Sequence, residues 1–166
     1  LFQNKYNIYC LDKSKPKSFI KLKKGKFIKC DLLNKNKLEK CIREIKPDIV
    51  IHLAAQSTVN EKIKWENYYK HNVEATKNVI NVMNKFNVKK LIFSSTASVY
   101  KEKKIKITEK DKLKPTSKYG KSKLLAETII KKYGKINYII LRFFNVCSAI
   151  RNPLIGEYHQ PETHLI

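Results

Sequence analysis

At 166 residues, with 42% hydrophobic and 30% charged side chains, the chain has the size and balance of one globular domain, not of a disordered segment. No run approaches the roughly 18 apolar residues of a membrane helix, and the opening LFQNKYNIYCLDKSK lacks the apolar core and cleavage site of a signal peptide. The net charge of +22 suits weak polyanion binding, but every basic residue except Arg43, Arg142 and Arg151 is a lysine spread along the chain, so a specific nucleic-acid reader is not expected.

Tyr6 to Leu11 (YNIYCL) reads as a short buried strand closed by Asp12, and KSKPKSF after it as a solvated loop. Residues 26–29 form a second short strand that runs into Cys30-Asp31-Leu32. Asn34 is placed to cap a helix through about Ile45, in which Leu38, Cys41, Ile42 and Ile45 recur at i, i+3, i+4 and i+7. Pro47 ends that helix. Asp48 to Leu53 (DIVIHL) is a near-continuous β-branched run, the pattern of a strand buried on both faces, and Ala54-Ala55-Gln56-Ser57 is a small-residue loop at its carboxyl end. A single long helix is predicted from about Trp65 to Phe86, followed by a strand over Leu91 to Ser95 and a polar loop. A helix over Ser117 to Tyr133 and a strand over Asn137 to Phe143 (NYIILRF) complete the pattern.

Strand and helix alternate with connections long enough for crossovers, which predicts an α/β fold with a parallel sheet. Ligands of such sheets bind outside the carboxyl ends of the strands, where Asp12, Asp31, Ala54 to Ser57, Ser94 to Thr96 and Asn145 collect. Tyr119 and Lys123 stand four apart in the Ser117 helix and so share a face. A phenol of ordinary pKa about 10 is a poor base at neutral pH, and a nearby ammonium favours the phenolate. Such a pair can take a proton from a substrate hydroxyl while hydride leaves the same carbon. Cys10, Cys30, Cys41 and Cys147 show no zinc spacing and read as reduced thiols of a cytoplasmic protein. The four histidines are too scattered for a metal site, and no metal is expected.

Asp12, HLAAQS, FSSTASVY, YGKSK and RFFN, in that order, resemble the extended short-chain dehydrogenases/reductases, and within them the UDP-glucose 4-epimerases. The tail IGEYHQPETHLI resembles the stretch that leads into their substrate domain. The likeness runs the length of the chain but covers about half of a complete member. It implies a doubly wound, Rossmann-like parallel sheet lacking the first strand and its Gly-rich loop, with residues 1–150 a partial NAD-binding domain and 151–166 the start of the substrate domain. Only Gly25, Gly120, Gly134 and Gly156 are present, so no Gly-rich phosphate loop can be formed from this sequence.

Carried over position by position, the resemblance implies that Asp12 binds the adenosine ribose of NAD and that Asp31 and Leu32 lie beside adenine. Leu53, Ala54, Ala55, Gln56 and Ser57 would line the cofactor's phosphates and ribose. Asn72 matches the family's Asn-Val pair, although His71 stands where Asn is common. Thr96 would supply a hydroxyl to the substrate oxygen and to Tyr119, Tyr119 would be the acid/base, and Lys123 would bond the nicotinamide ribose and lower the Tyr119 pKa. Phe144 would pack near the nicotinamide, and Asn145 would contact the UDP-sugar diphosphate. Lys101 replaces the usual Gly and Phe143 the usual Tyr; neither is a reacting group.

The implied activity is NAD-dependent epimerisation of a UDP-hexose at C4, by a full-length homodimer. Another epimerase, dehydratase or decarboxylase of nucleotide sugars is the near alternative. Dehydratases follow the Thr with Asp-Glu, whereas Thr96 precedes Ala97-Ser98. A non-catalytic polyanion binder on the same fold is the alternative from another class. In the implied strand order the missing strand lies between the second and the fourth, so residues 1–166 alone are expected to be unstable and inactive.

Overall fold

The computed structural model describes residues 5–14 and 25–146. Most of the lysine-rich loop after the first strand, Cys147 and the expected start of a second domain at 151–166 lie outside the described residues. Five strands and the intervening helices follow the predicted order: β1 (Ile8–Asp12), β2 (Gly25–Lys29), α1 (Lys35–Ile45) and β3 (Val50–His52). Then come α2 (Trp65–Tyr68), a π-helical turn (Tyr69–Glu74) and α3 (Ala75–Lys85). The remainder is β4 (Lys90–Thr96), a 3-10 turn (Ala97–Val99), α4 (Lys118–Tyr133) and β5 (Asn137–Phe143). No helix among the described residues is long and apolar enough to cross a membrane.

Every strand pairing is parallel, as crossover helices require. Among the described residues the strands form two sheets, β1–β2 and β3–β4–β5, with no strand hydrogen-bonded to both. In the larger sheet His52 lies opposite Phe93, and Phe93 opposite Ile140. One apolar core joins the two sheets. Leu38 and Ile42 of α1, Ile80 and Met83 of α3 and Ile130 of α4 pack with Leu91 and Phe93, and Leu11, Ile28, Val50 and Ile140 lie against them.

The expectation that 48–53 is buried on both faces is corrected here. Ile51 and Leu53 are 60% and 66% exposed, and only His52 of this strand is buried. Alternation explains it: Val50, Leu91, Phe93 and Ile140 face the shared core, whereas Ile51, Ile139 and Leu141 point to the opposite face, where they stay exposed.

Local chemistry sets the helix ends. Asn34 Oδ1 accepts the Lys37 amide at 3.0 Å, capping α1 as predicted. Lys46, with φ of 48°, closes it by donating its amide to Ile42. Ser117 caps α4 by accepting the Gly120 amide at 3.0 Å. The predicted single helix from Trp65 is continuous but carries the π turn, where the Ala75 amide bonds the Lys70 carbonyl five residues back. Thr76 donates its hydroxyl to the Asn72 carbonyl at 2.6 Å, which helps hold the widened turn.

Candidate active site

Strand β4 delivers Thr96 to its carboxyl end, where Thr96 Oγ1 accepts the Ser98 amide at 3.2 Å and caps the 3-10 turn. Helix α4 comes against that turn because its second residue after Lys118 is Gly120. A Cβ there would stand 2.4 Å from the Ser98 carbonyl oxygen, so only glycine admits this approach. The approach brings the Tyr119 phenol within reach of Thr96, whose hydroxyl favours the phenolate. Tyr68 packs its ring 6.4 Å from that of Tyr119.

Burial raises the Tyr119 pKa above that of an ordinary phenol; the bond from Thr96 works against this, and Tyr68 adds to it. The direction differs from the expectation that Lys123 lowers it. Lys123 is buried one turn further along α4, and its ammonium lies 4.3 Å from the centre of the Phe93 ring. Burial lowers that ammonium to about 8, and the Glu127 carboxylate opposes the fall. The cation therefore faces Phe93 and Glu127, which accounts for its weak hold on the phenol.

Asn72, in the π turn, is buried with its amide fully used. Oδ1 accepts the Gln56 amide at 2.7 Å, while Nδ2 donates to the Gln56 carbonyl (3.1 Å) and to Ser122 Oγ (2.8 Å). Ser122 in turn donates to the Tyr119 carbonyl at 2.7 Å. One side chain thus ties the loop after β3 to the turn of α4 that carries Tyr119. Tyr68 fastens the same loop further on, donating to Thr58 O at 2.7 Å and accepting the Asn60 amide at 3.2 Å. Lys118 holds its far end through the Glu61 carbonyl at 3.0 Å. Below, His52 Nε2 lies 3.0 Å from Thr76 Oγ1. The one hydroxyl proton of Thr76 is given to Asn72, so Nε2 must be the donor, and burial, with Lys123 nearby, keeps the ring neutral with a pKa of about 3.

At the smaller sheet, Asp12 is exposed at the end of β1. Ser14 orients one carboxylate oxygen through its amide (2.8 Å) and hydroxyl (3.2 Å), and the Asp12 carbonyl accepts the Cys30 amide at 2.7 Å. Asp31 Oδ1 accepts the Leu33 amide at 2.9 Å, and Asn78 donates to Leu32 O at 3.0 Å, anchoring this loop to α3. His71 lies within electrostatic reach of Lys13 and Asp31. Leu53, Ala54 and Ser57 stand exposed between the two sheets, with Ala55 and Gln56 half-buried. Phe144 and Asn145 follow β5 as exposed residues. Cys10, Cys30 and Cys41 are free thiols, and burial pushes Cys30 up to about 12.

The structure therefore gathers Thr96, Tyr119 and Lys123 at one strand end, joins Gln56 to Asn72, and leaves Asp12 and Asp31 on the neighbouring sheet. Sequence reasoning missed Tyr68, Ser122 and Glu127. Ser122 lies inside the YGKSK stretch, the one available signal; the others depend on contacts remote in sequence.

Residues 1–165 match the profile of the NAD dependent epimerase/dehydratase family. The UDP-glucose 4-epimerase of Lactobacillus helveticus is 42% identical over 148 residues, which cover 86% of this chain and 45% of that protein. A crystal structure of a UDP-glucose 4-epimerase superposes with a TM-score of 0.89 at 35% identity, covering 99% of this chain and 52% of the other. The UDP-glucose 4-epimerase of Bifidobacterium longum, solved in complex with NAD+ and UDP, gives 0.85 at 32% identity, covering 94% and 51%. The chain thus spans about half the length of the relatives it matches. It belongs to the NAD dependent epimerase/dehydratase family.

Proposed function

We propose that the full-length protein containing this chain is an NAD-dependent UDP-hexose 4-epimerase. Residues 1–150 would belong to its cofactor domain and 151–166 would open its substrate domain. The observation that carries the reading is the placement of a half-buried Tyr119 beside Thr96, with buried Lys123 one helical turn further along α4, at the carboxyl end of a central parallel strand. The relatives named above support the substrate class.

NAD, when bound, supplies the acceptor and donor of the hydride. In its phenolate form, the minor state in the resting protein, the Tyr119 oxygen takes the proton of the sugar's C4 hydroxyl and later returns it. Thr96 donates to that oxygen, favouring its deprotonated form at the moment of transfer. The Lys123 ammonium adds positive charge below, and Asp12 and Asp31 hold the adenosine end. The sugar must turn over between the two transfers, so its ring is held loosely and its diphosphate firmly, the latter by Asn145. Ala97-Ser98 after Thr96 offer no acid pair for eliminating water, which favours epimerisation over dehydration.

The test is Tyr119→Phe in the full-length protein. NAD affinity by calorimetry should stay near parental while epimerisation falls at least the roughly 10²-fold typical of losing an acid/base group. Turnover at the parental rate would remove Tyr119 from the mechanism.

A further inference from the structure

Glu127 is the one buried carboxylate among the described residues, and its role in the reaction is unassigned by anything above. Its Oε1 accepts from Ser95 Oγ at 2.6 Å and from Arg142 Nε at 3.0 Å, and its Oε2 accepts from Arg142 Nη2 at 2.7 Å. Lys131 approaches from the exposed side at 3.6 Å. Arg142 also donates from Nη1 to the Tyr100 hydroxyl at 2.9 Å and lies 4.9 Å from that ring. Each partner adjoins a candidate site residue. Ser95 precedes Thr96, Tyr100 ends the turn that Thr96 begins, and Arg142 is two residues from Phe144. Glu127 itself stands one helical turn beyond Lys123.

The surroundings of Lys123 need such an anion. From β4 it meets the Phe93 ring, and from β3 the neutral His52 lies within its electrostatic reach. On its own helix Tyr119 is neutral at ordinary pH and Glu127 is charged, and from β5 Arg142 is already committed to Glu127. Stability does not demand the cluster, because apolar side chains in place of a buried ion pair are often as stable or more so.

We propose that Glu127 is a positioning residue for the reaction: clamped by Arg142 and Ser95, its carboxylate keeps the Lys123 ammonium charged against the Phe93 ring, one helical turn from Tyr119. This rests on the assignment of Tyr119 and Lys123 as the reacting pair. Burial alone would raise the Glu127 carboxyl, and the bonds from Arg142 and Ser95 overcome that and leave it below its ordinary value. The anion therefore persists at neutral pH. Lys123, already drawn down to about 8 by burial, falls further once that charge is removed.

The test uses the full-length protein without sugar substrate. The Lys123 side-chain resonance is followed from pH 6 to 11 by NMR, assigned by its loss in Lys123→Met. Glu127→Gln should lower the titration midpoint by about one unit or more, as a unit charge one helical turn away is lost from a partly screened interior. The alkaline limb of kcat should move down with it, with KM little changed. Because Glu127→Gln strands Arg142 and can impair folding, Glu127→Gln/Arg142→Met removes both charges. It should melt near the parental temperature with a Lys123 midpoint below the parental one but above that of Glu127→Gln, because losing the Arg142 cation offsets part of the loss of the nearer anion. An unmoved midpoint in a folded variant overturns the inference whatever reaction the protein catalyses. A lowered midpoint with an unchanged alkaline limb overturns the part in catalysis. Failure of Tyr119→Phe to lose activity sinks the reading above and leaves the Lys123 titration to be judged alone.

Discussion

The carboxyl ends of β1 and β4 both carry polar side chains, but they hold them by different means. At β1, Asp12 is exposed and is oriented by a neighbour two residues away, on a sheet of two strands. At β4, Thr96 and Ser95 are buried, and Ser95 donates to Glu127 of α4, 32 positions away in sequence, which Arg142 of β5 also holds. The first end suits recognition, since an exposed carboxylate keeps acceptor capacity for an incoming diol. The second suits chemistry, since a phenol and an ammonium withdrawn from water respond strongly to each neighbouring charge. On the proposed reading, binding and reaction are separated between two sheets, and Asn72 is the side chain that joins the loop after β3 to α4.

Three substitutions in the full-length protein probe that separation. The largest effect is expected from Asn72→Ala, which strands the Gln56 amide and carbonyl and the Ser122 hydroxyl. Each buried unsatisfied group costs about 1–3 kcal/mol, so chemical denaturation should show a loss of at least about 2 kcal/mol. NAD affinity and kcat should fall together; a fall in only one would mean that Asn72 does not couple the two ends. Next, Gly120→Ala forces α4 off the Ser98 carbonyl, an overpacking of about 1–3 kcal/mol. Tyr119 should move away from Thr96, and kcat should drop about tenfold or more while NAD binding holds. Steady-state kinetics beside a calorimetric titration separates these. The smallest stability effect belongs to Asp12→Ala, within about 0.5 kcal/mol because the residue is exposed. NAD affinity should still fall about tenfold or more, as charge-assisted bonds of about 1.5–3 kcal/mol disappear, with NADP affected less. Equal NAD affinity before and after would place ribose recognition elsewhere.

Much of the fold was legible in the sequence because its signals are local. Asn34 as a cap, Pro47 as a stop and the helical spacing of Leu38, Cys41 and Ile42 require no knowledge of distant neighbours. DIVIHL was misjudged for the opposite reason: its composition tells how apolar the strand is but not which layers cover it. The π turn was invisible as well. YKHNVE holds no Gly or Pro, and the widening depends on Thr76 back-bonding and on what Asn72 meets in α4. At the site, Tyr119 and Lys123 were legible from spacing, whereas the sense of the Tyr119 shift was not. That sense depends on how deeply the phenol is buried and on which way the ammonium turns, both fixed by packing.

The widened turn at Tyr69–Glu74 makes the long helix a device of phase. Compared with regular pitch it holds about one residue extra, and each residue turns an α-helix by about 100°. Tyr68 and Asn72 can therefore serve the loop and α4 while Thr76 serves His52, although all three ride on one continuous rod. Removing a single residue from this turn would shorten the chain by the least possible amount. It would nevertheless rotate α2 against α3 and swing Tyr68 away from Tyr119, with the core behind α3 left in place. At this turn, helix phase matters more to the site than helix composition.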